Sequence, residues 1–285
     1  RDENVIKEQF ELAEKFGING LCFYYYWFSG EKILDTPIDT LIEHKDWNYN
    51  FAICWANENW TKRWDGRDSE VIIAQKYLES DPLNFIKDVE HIITDDRYIK
   101  FQGKPILMVY RASELKDPEK YAKIWRNYIK EKYHQELHLI SVISFEAEDP
   151  RSFGFDAAMD FTPLGYFFKL NKMNGKTLPY IDVQKTALDP NFAGSVVDYR
   201  EIVLNKELIE AFDFPTHKCV MPSWDNDARK KGKGFVYHKS SPDVYYTFLR
   251  NIIKNEKEKQ DEIVFINAWN EWAEGTVLEP SQHLG

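Results

Sequence analysis

The amino-acid sequence predicts an α/β fold, specifically a (β/α)8 TIM-type barrel that lacks its first strand and its last helix. Short apolar runs alternate with amphipathic helical patterns along the whole chain, and this alternation is typical of a parallel sheet. The apolar runs number seven, whereas a closed barrel of this type needs eight strands. The chain also begins on a helical pattern and stops soon after its last apolar run.

The predicted strands are near-continuous runs of apolar, β-branched and aromatic residues, as expected for strands that are buried on both faces. They cover residues 18–27, 51–56, 105–110, 139–145, 156–161, 218–224 and 263–269. No glycine-rich nucleotide-binding pattern follows any of them, which favours a closed barrel over an open doubly wound sheet.

The predicted helices lie between these runs and cover residues 3–16, 36–47, 80–94, 117–133, 200–212 and 242–258. Gly17 marks the end of the first helix. Ser241-Pro242 marks the start of the last one, because serine is a good N-cap and proline suits the first helical position.

Length and composition predict a single barrel domain over residues 1–285, and the missing first strand and last helix imply that it is truncated at both ends. The chain is 43% hydrophobic and contains no low-complexity linker. Its net charge of −10 argues against a nucleic-acid partner. No apolar run approaches the roughly 20 residues of a membrane span. The basic run RKKGK at 229–233 is interpreted as a solvated loop, and no metal or cofactor is expected.

Aromatic residues concentrate where the predicted strands end, which in barrels of this kind is the active face. Seven of the nine tryptophans occupy these positions: Trp27, Trp55, Trp60, Trp64, Trp224, Trp269 and Trp272. Their concentration predicts stacking platforms for sugar rings. Aromatic packing inside the barrel is the alternative, since large aromatic side chains also dominate cores.

Polar residues follow the same strand ends and are predicted to bind substrate hydroxyl groups. They are Asn57, Glu58, Asn59, Tyr110, Arg111, Asp225, Asn226 and Asn270. For the asparagines, capping of loops is the alternative, because asparagine often hydrogen-bonds the backbone of turns.

Two glutamates, Glu271 and Glu274, stand three residues apart just after the last predicted strand. On a turn or helical start, residues at this spacing face the same way. Two carboxylates in one apolar pocket do not ionise equally easily, so one can serve as an acid and the other as a base. Such a pair is what glycoside hydrolysis requires. Salt bridges or a helix cap are the alternative.

Six segments of the chain resemble the WbsX-like family: GINGLCFYYYWFSG, CWANENWTKRWDGRDSEVIIAQ, RYIKFQGKPILMVYR, GFDAAMDF, PSWDNDARK and FINAWNEWAEGTVLEP. NEWAEGTVLEP is also similar to the active-site segment NEWHEGT of glycoside hydrolase family 99, the endo-α-mannosidases and mannanases. The resemblance implies a retaining mechanism in which Glu271 is the base that acts on the sugar 2-hydroxyl. Glu274 is then the acid that protonates the leaving oxygen. Ala273 replaces the histidine of the mannosidases, so their substrate is not implied.

The sequence thus predicts a retaining glycoside hydrolase acting on an oligo- or polysaccharide of bacterial type. One alternative is a glycosyltransferase in the biosynthesis of cell-surface polysaccharide such as lipopolysaccharide or O-antigen, for which Asp225-Asn226-Asp227 is a near match to a metal-binding DxD motif. Another is a non-catalytic glycan-binding module. Within the hydrolase hypothesis, Glu58 with Glu271 is a rival double-displacement pair, expected about 5 Å apart.

Overall fold

The computed structural model describes residues 3–62, 67–144, 147–166, 169, 178–183, 189–209, 212–259 and 263–282, without the side chains of residues 67–69, 209 and 259. The helices are α1 (Glu3–Lys15), α2 (Thr36–Glu43), α3 (Asp81–Ile93), α4 (Pro118–Tyr133), α5 (Tyr199–Val203), α6 (Lys206–Ile209), α7 (Asp227–Lys230) and α8 (Pro242–Lys259). The strands are β1 (Leu21–Phe28), β2 (Glu31–Ile33), β3 (Phe51–Trp55), β4 (Trp60–Lys62), β5 (Arg67–Ile73), β6 (Lys100–Phe101), β7 (Lys104–Val109), β8 (His138–Val142), β9 (Ala157–Asp160), β10 (Ser195–Asp198), β11 (Thr216–Val220), β12 (Phe235–His238), β13 (Val264–Ile266), β14 (Asn270–Glu271) and β15 (Thr276–Val277).

Each predicted strand is present, as β1, β3, β7, β8, β9, β11 and β13. The last predicted helix begins as expected, because the Ser241 hydroxyl accepts a hydrogen bond from the backbone N–H of Val244 at 3.3 Å. The single helix predicted over 200–212 is wrong. The chain forms the two short helices α5 and α6 instead, and the Asn205 side chain caps the second by accepting from the Glu207 N–H at 3.0 Å.

The described residues cluster into two compact units rather than one. The first comprises Arg1–Trp60, Ile73–Val142 and Glu148–Ala158, and the second Thr61–Ile72, Ile143–Ala147 and Met159–Gly285. The single domain predicted over residues 1–285 stays a prediction.

The first unit contains a parallel sheet in the strand order β8–β7–β3–β1. The strands β2 and β6 add antiparallel hairpin arms to β1 and β7. All five residues of β3 are buried, which agrees with its uninterrupted apolar sequence. Its Trp55 stacks on Phe85 of α3 with ring centroids 4.3 Å apart, and Trp125 of α4 lies 5.3 Å from the same phenyl ring. These aromatic contacts pack α3 and α4 against the sheet.

The second unit contains the parallel strand pairs β11–β13 and β10–β12 and the antiparallel hairpin β14–β15. Its core includes Val197, Tyr199, Val220, Phe248 and Ile252. The strand β10 lies in a region predicted to be a loop. With four residues each, β10 and β12 are too short to show a clear period in the sequence.

A parallel α/β architecture is therefore confirmed, whereas the complete eight-stranded barrel stays a prediction. Among the described strands, β13 has β11 as its hydrogen-bonded neighbour, and β1 carries the short arm β2 on the side opposite β3. None of the described helices combines the length and the hydrophobicity that crossing a bilayer requires.

Candidate active site

The two glutamates lie on a tight hairpin that follows β13. Glu271 ends β14, the 3-10 turn Trp272–Glu274 follows it, and β15 returns alongside β14. This is the turn predicted from the sequence. The carboxylates are therefore carried by one short segment, and its backbone geometry sets their spacing.

Two small residues hold this hairpin in place. Gly275 has a φ of +59°, and a Cβ there would lie 3.0 Å from both the backbone nitrogen and the carbonyl oxygen of Asp225. A side chain would thus be both strained and crowded. The buried Thr276 donates its hydroxyl to the Asn267 carbonyl at 2.5 Å. The Asp225 N–H donates to the Glu274 carbonyl at 2.8 Å, which ties the hairpin to the segment after β11.

Arg229 bridges the two glutamates. Its Nη2 lies 3.0 Å from Glu271 Oε1, and its Nη1 lies 3.1 Å from Glu274 Oε1. The Arg229 side chain is 25% exposed, and those of Glu271 and Glu274 are 37% and 25% exposed. Planar arginine suits such double contacts with carboxylates. The guanidinium offsets the repulsion between the two negative groups, so the pair predicted to repel is in fact a triad with a central cation.

The interpretation of residues 229–233 as only a solvated loop is thus wrong for Arg229. The sequence carried a weak signal of its role, because arginine rather than lysine begins the run and α7 follows a cluster of capping residues. The separation from the glutamates, 42 and 45 positions, hides the contact from any local pattern.

Side chains of the Asp225-Asn226-Asp227 segment shape the loop that carries Arg229. The Asp225 carboxylate accepts the Asp227 N–H at 3.0 Å, and Asn226 Oδ1 accepts the Phe235 N–H at 2.7 Å. Asp227 Oδ1 accepts the N–H groups of Gly232 and Gly234, each at 2.9 Å. These bonds are loop-capping contacts. Binding of substrate by Asp225 and Asn226 stays a prediction.

The three tryptophans near the hairpin differ in exposure. Trp224 is buried in the hydrophobic core of the second unit. Trp269 is half-buried, and its indole N–H is buried without a hydrogen-bond partner among the described residues. Trp272 is 55% exposed, and its N–H donates to Glu279 at 3.0 Å. Trp272 is therefore the ring of this group with the most surface available to a ligand, and the neighbouring Asn270 is exposed as well.

In the first unit, Trp27 and Trp55 are packing residues. Both are essentially inaccessible to solvent, and their rings meet edge to face at 5.7 Å. The Trp55 indole N–H donates to the Trp27 carbonyl at 3.0 Å. Rings without exposed surface offer no face to a sugar, so the structure favours the packing alternative for these two and does not support their predicted role as platforms.

The polar residues after β3 mainly hold the backbone. The fully buried Asn57 pairs with the backbone of Arg111, and the exposed Asn59 accepts the Gln75 N–H at 2.8 Å. Burial raises the pKa of the Tyr77 hydroxyl well above its usual value, and this hydroxyl donates to the Asn57 carbonyl at 2.5 Å. These contacts agree with the loop-capping alternative.

The charged and aromatic residues of this group are only partly buried. Glu58 accepts from Arg111 Nη1 at 2.8 Å, so it is a member of an ion pair. Trp60 meets Tyr26 edge to face at 4.9 Å, and Tyr110 meets Tyr24 in the same way at 5.7 Å. Trp64 lies outside the described residues. The rival pairing of Glu58 with Glu271 stays a prediction.

The curated relatives are longer proteins. Over 288 aligned residues the chain is 38% identical to the uncharacterised protein WxcX of Xanthomonas campestris pv. campestris, in two strains. The alignment covers 100% of this chain and 40% of that protein, so the chain spans well under half the length of the curated relatives it matches.

Solved structures with a similar fold are described as carbohydrate-active proteins. A glycoside hydrolase-like protein superposes with a TM-score of 0.58 at 15% identity, covering 98% of this chain and 79% of that one. The GH99 endo-alpha-mannosidase from Bacteroides thetaiotaomicron gives a TM-score of 0.56 at 11% identity, covering 98% and 70%. At these identities the likeness concerns the fold alone.

The family described as Glycosyltransferase WbsX matches residues 1–285, the whole chain. That match agrees with the six segments noted in the sequence, and the structural likeness to a GH99 enzyme agrees with the similarity of NEWAEGTVLEP to NEWHEGT. The chain belongs to the WbsX family.

Proposed function

We propose that this protein is a retaining glycoside hydrolase that acts on a glycan through Glu271 and Glu274. The observation that carries the proposal is the carboxylate pair itself, which is held by Arg229 on a hairpin after β13 beside the exposed Trp272. Both carboxylates are partly exposed, so a substrate can reach them. The family match and the fold likeness to a GH99 enzyme support the choice of a glycan as substrate.

In the proposed mechanism Glu271 removes the proton of the sugar 2-hydroxyl, and that oxygen attacks the anomeric carbon. The bond to the leaving oxygen breaks, and Glu274 supplies the proton that this oxygen takes up. Water then attacks the anomeric carbon of the 1,2-anhydro sugar, and the bond from that carbon to the 2-oxygen breaks. Glu274 accepts the proton of the water, and Glu271 returns a proton to the 2-oxygen, which restores both residues.

Trp272 supplies a stacking surface next to this pair. A partly exposed indole presents an apolar face that suits the C–H face of a sugar ring. Its N–H is fixed by Glu279, so the ring plane is held without help from a ligand. The exposed Asn270 is the nearest polar side chain along the hairpin and is assigned to a sugar hydroxyl.

Transfer of a sugar to an acceptor hydroxyl is the second candidate, and the description of the family as a glycosyltransferase favours it. The same two carboxylates would serve if an acceptor replaced water in the second step. A donor activated by a nucleotide would need less help from an acid, because a phosphate is already a good leaving group. Release of nucleotide from a sugar nucleotide, dependent on Glu271, would identify this activity.

The test is a screen of oligo- and polysaccharides with the purified protein, in which products are sized by mass spectrometry. We expect Glu271→Gln and Glu274→Gln each to lower kcat/KM by roughly 10²–10⁴-fold. The matched control is Glu258→Gln, which removes an exposed glutamate of α8 and should leave the rate unchanged.

Two substrate analogues separate the roles. A phenolic leaving group needs no acid, so a substrate that carries one should restore release of the phenol, the first step, to Glu274→Gln but not to Glu271→Gln. A substrate without the 2-hydroxyl should not be cleaved at all. Cleavage of the 2-deoxy substrate, or a covalent glycosyl adduct on Glu271, would contradict the mechanism and favour the pair Glu58 and Glu271. Glycan binding without any turnover would instead indicate a binding module.

A further inference from the structure

The contact of one guanidinium with two carboxylates is the basis of this inference. Nη2 and Nη1 of Arg229 each take one oxygen, from Glu271 and Glu274 respectively, at 3.0 and 3.1 Å. Both nitrogens belong to one rigid planar group. We propose that Arg229 is a positioning residue that holds the two carboxylates in one frame and balances their negative charge. The inference rests on the proposed function, since Arg229 acts through Glu271 and Glu274.

The backbone at Arg229 is held by its own loop. The Arg229 N–H donates to the Asn226 carbonyl at 3.1 Å, and the Asp227 carboxylate closes the loop onto Gly232 and Gly234. A Cβ at Gly234 would lie 2.5 Å from the Cα of Asp227, so the loop packs too closely there for a side chain. The guanidinium is therefore presented by an ordered turn.

The acidic residues that flank these segments are engaged in other contacts. The carboxylates of Asp225 and Asp227 accept backbone N–H groups of the loop, and Glu279 accepts the indole N–H of Trp272. Lys230 follows Arg229 in α7, and the side chains of Lys231 and Lys233 are exposed. Arg229 is thus a cation that touches both glutamates within a predominantly acidic group.

Loss of this cation has a defined effect on proton transfer. A positive group within contact distance favours ionised carboxylates, and its removal favours the protonated forms. Both limbs of the bell-shaped profile of kcat/KM should therefore move to higher pH.

The experiment compares the pH profiles of wild type, Arg229→Gln, Arg229→Lys and the control Arg250→Gln, which alters an exposed arginine of α8. In Arg229→Gln we expect both limbs to move to higher pH and kcat to fall by roughly 10- to 100-fold from misplacement. Arg229→Lys should bring the limbs back towards wild type while kcat stays low, because lysine keeps the charge but lacks the planar fork. Arg250→Gln should match wild type.

A lower kcat with both limbs unmoved in Arg229→Gln would overturn the inference and leave Arg229 with a merely structural role. If wild type cleaves no glycan, the proposed function fails while this inference remains testable. Carbon NMR titration of the side-chain carboxyls, assigned with Glu271→Gln and Glu274→Gln, then gives the answer directly. Titration at higher pH in Arg229→Gln supports the inference, and unchanged titration overturns it.

Discussion

Asn57 and Arg111, which lie 54 positions apart, join the ends of the neighbouring parallel strands β3 and β7 through a pair of hydrogen bonds. Asn57 Nδ2 donates to the Arg111 carbonyl, and Asn57 Oδ1 accepts the Arg111 N–H, both at 2.8 Å. The amide side chain of Asn57 offers one donor and one acceptor. It thereby replaces the backbone partner that Arg111 would have if the pairing of β3 with β7 continued.

Substitution of Asn57 by alanine should destabilise the protein by about 2–4 kcal/mol, because two partly buried backbone groups of Arg111 lose their partner. Chemical unfolding followed by circular dichroism measures this. Asn59→Ala is the matched control, since Asn59 is exposed and accepts a single backbone bond. Its cost should be about 1 kcal/mol or less. If both variants lost the same free energy of unfolding, the pair of bonds between Asn57 and Arg111 would contribute no more than a single exposed bond.

Protonation of Asp95 should lower the free energy of unfolding in acid. Hydrogen bonds from the Arg97 guanidinium hold the pKa of this carboxyl well below its usual value, with smaller help from Lys45. A depressed folded-state pKa contributes stability that is present above the unfolded value, near 4, and is lost as the pH falls below it. Wild type should therefore lose this contribution progressively as the pH falls below about 4.

Asp95→Asn tests the same contact near neutral pH. The variant leaves the largely buried guanidinium of Arg97 without its carboxylate, which should cost about 3–5 kcal/mol. Its unfolding free energy should also fall less steeply below pH 4 than that of wild type. Asp46→Asn, at an exposed aspartate, is the control. An unchanged acid slope in Asp95→Asn would rule out this residue as a source of acid sensitivity.

A side chain at position 275 should lower both the stability and the activity of the protein. Gly275→Ala should cost about 1–2 kcal/mol from the positive φ alone and more from the close approach of Asp225. Relief of that crowding would displace Glu274, so kcat should fall as well. Gly103→Ala is the matched control, because Gly103 has a φ of +79° with nothing within 4 Å of a Cβ. It should lose stability without losing activity.

Two tryptophans separate substrate stacking from core packing. Trp272→Ala should raise KM with little change in melting temperature, because the ring is 55% exposed. Trp55→Ala should instead cost about 3–5 kcal/mol, as expected for a fully buried indole. Thermal melting together with kinetics on one glycan distinguishes the two. A normal KM in Trp272→Ala would remove this ring from the substrate site.

Elements with a strong sequence signal were predicted well. The uninterrupted apolar sequence of β3 predicted a buried strand, and Ser241-Pro242 predicted the start of α8. The prediction of one helix over 200–212 was wrong because the apolar spacing continues past Asn205. The Asn205 side chain caps a second helix there, so the first helix ends before it. The tryptophan platforms illustrate a different limit. Position at a strand end does not reveal whether an indole points into the core, as Trp55 does, or outwards, as Trp272 does.

The candidate site was predicted in part for a similar reason. Glu271 and Glu274 are neighbours on one turn, so local spacing was enough to place them together. Arg229 reaches them only through folding of a distant loop, and the run that it begins continues with the half-buried Lys230 and the exposed Lys231 and Lys233. No periodicity in such a run distinguishes an arginine that bridges two carboxylates. The position of Arg229 is set by the hydrogen bonds of Asp227 and by the close packing at Gly234.

The hairpin β14–β15 carries a consequence for how this protein can change over time. The two carboxylates occupy a segment whose length is set by the turn between them, so a single inserted or deleted residue within 272–275 would displace both groups in one step. The loop that bears Arg229 is closed separately, by the hydrogen bonds of Asp227 with Gly232 and Gly234. A change of length in the hairpin therefore moves the two carboxylates relative to one another, whereas the loop of Arg229 is held by its own hydrogen bonds.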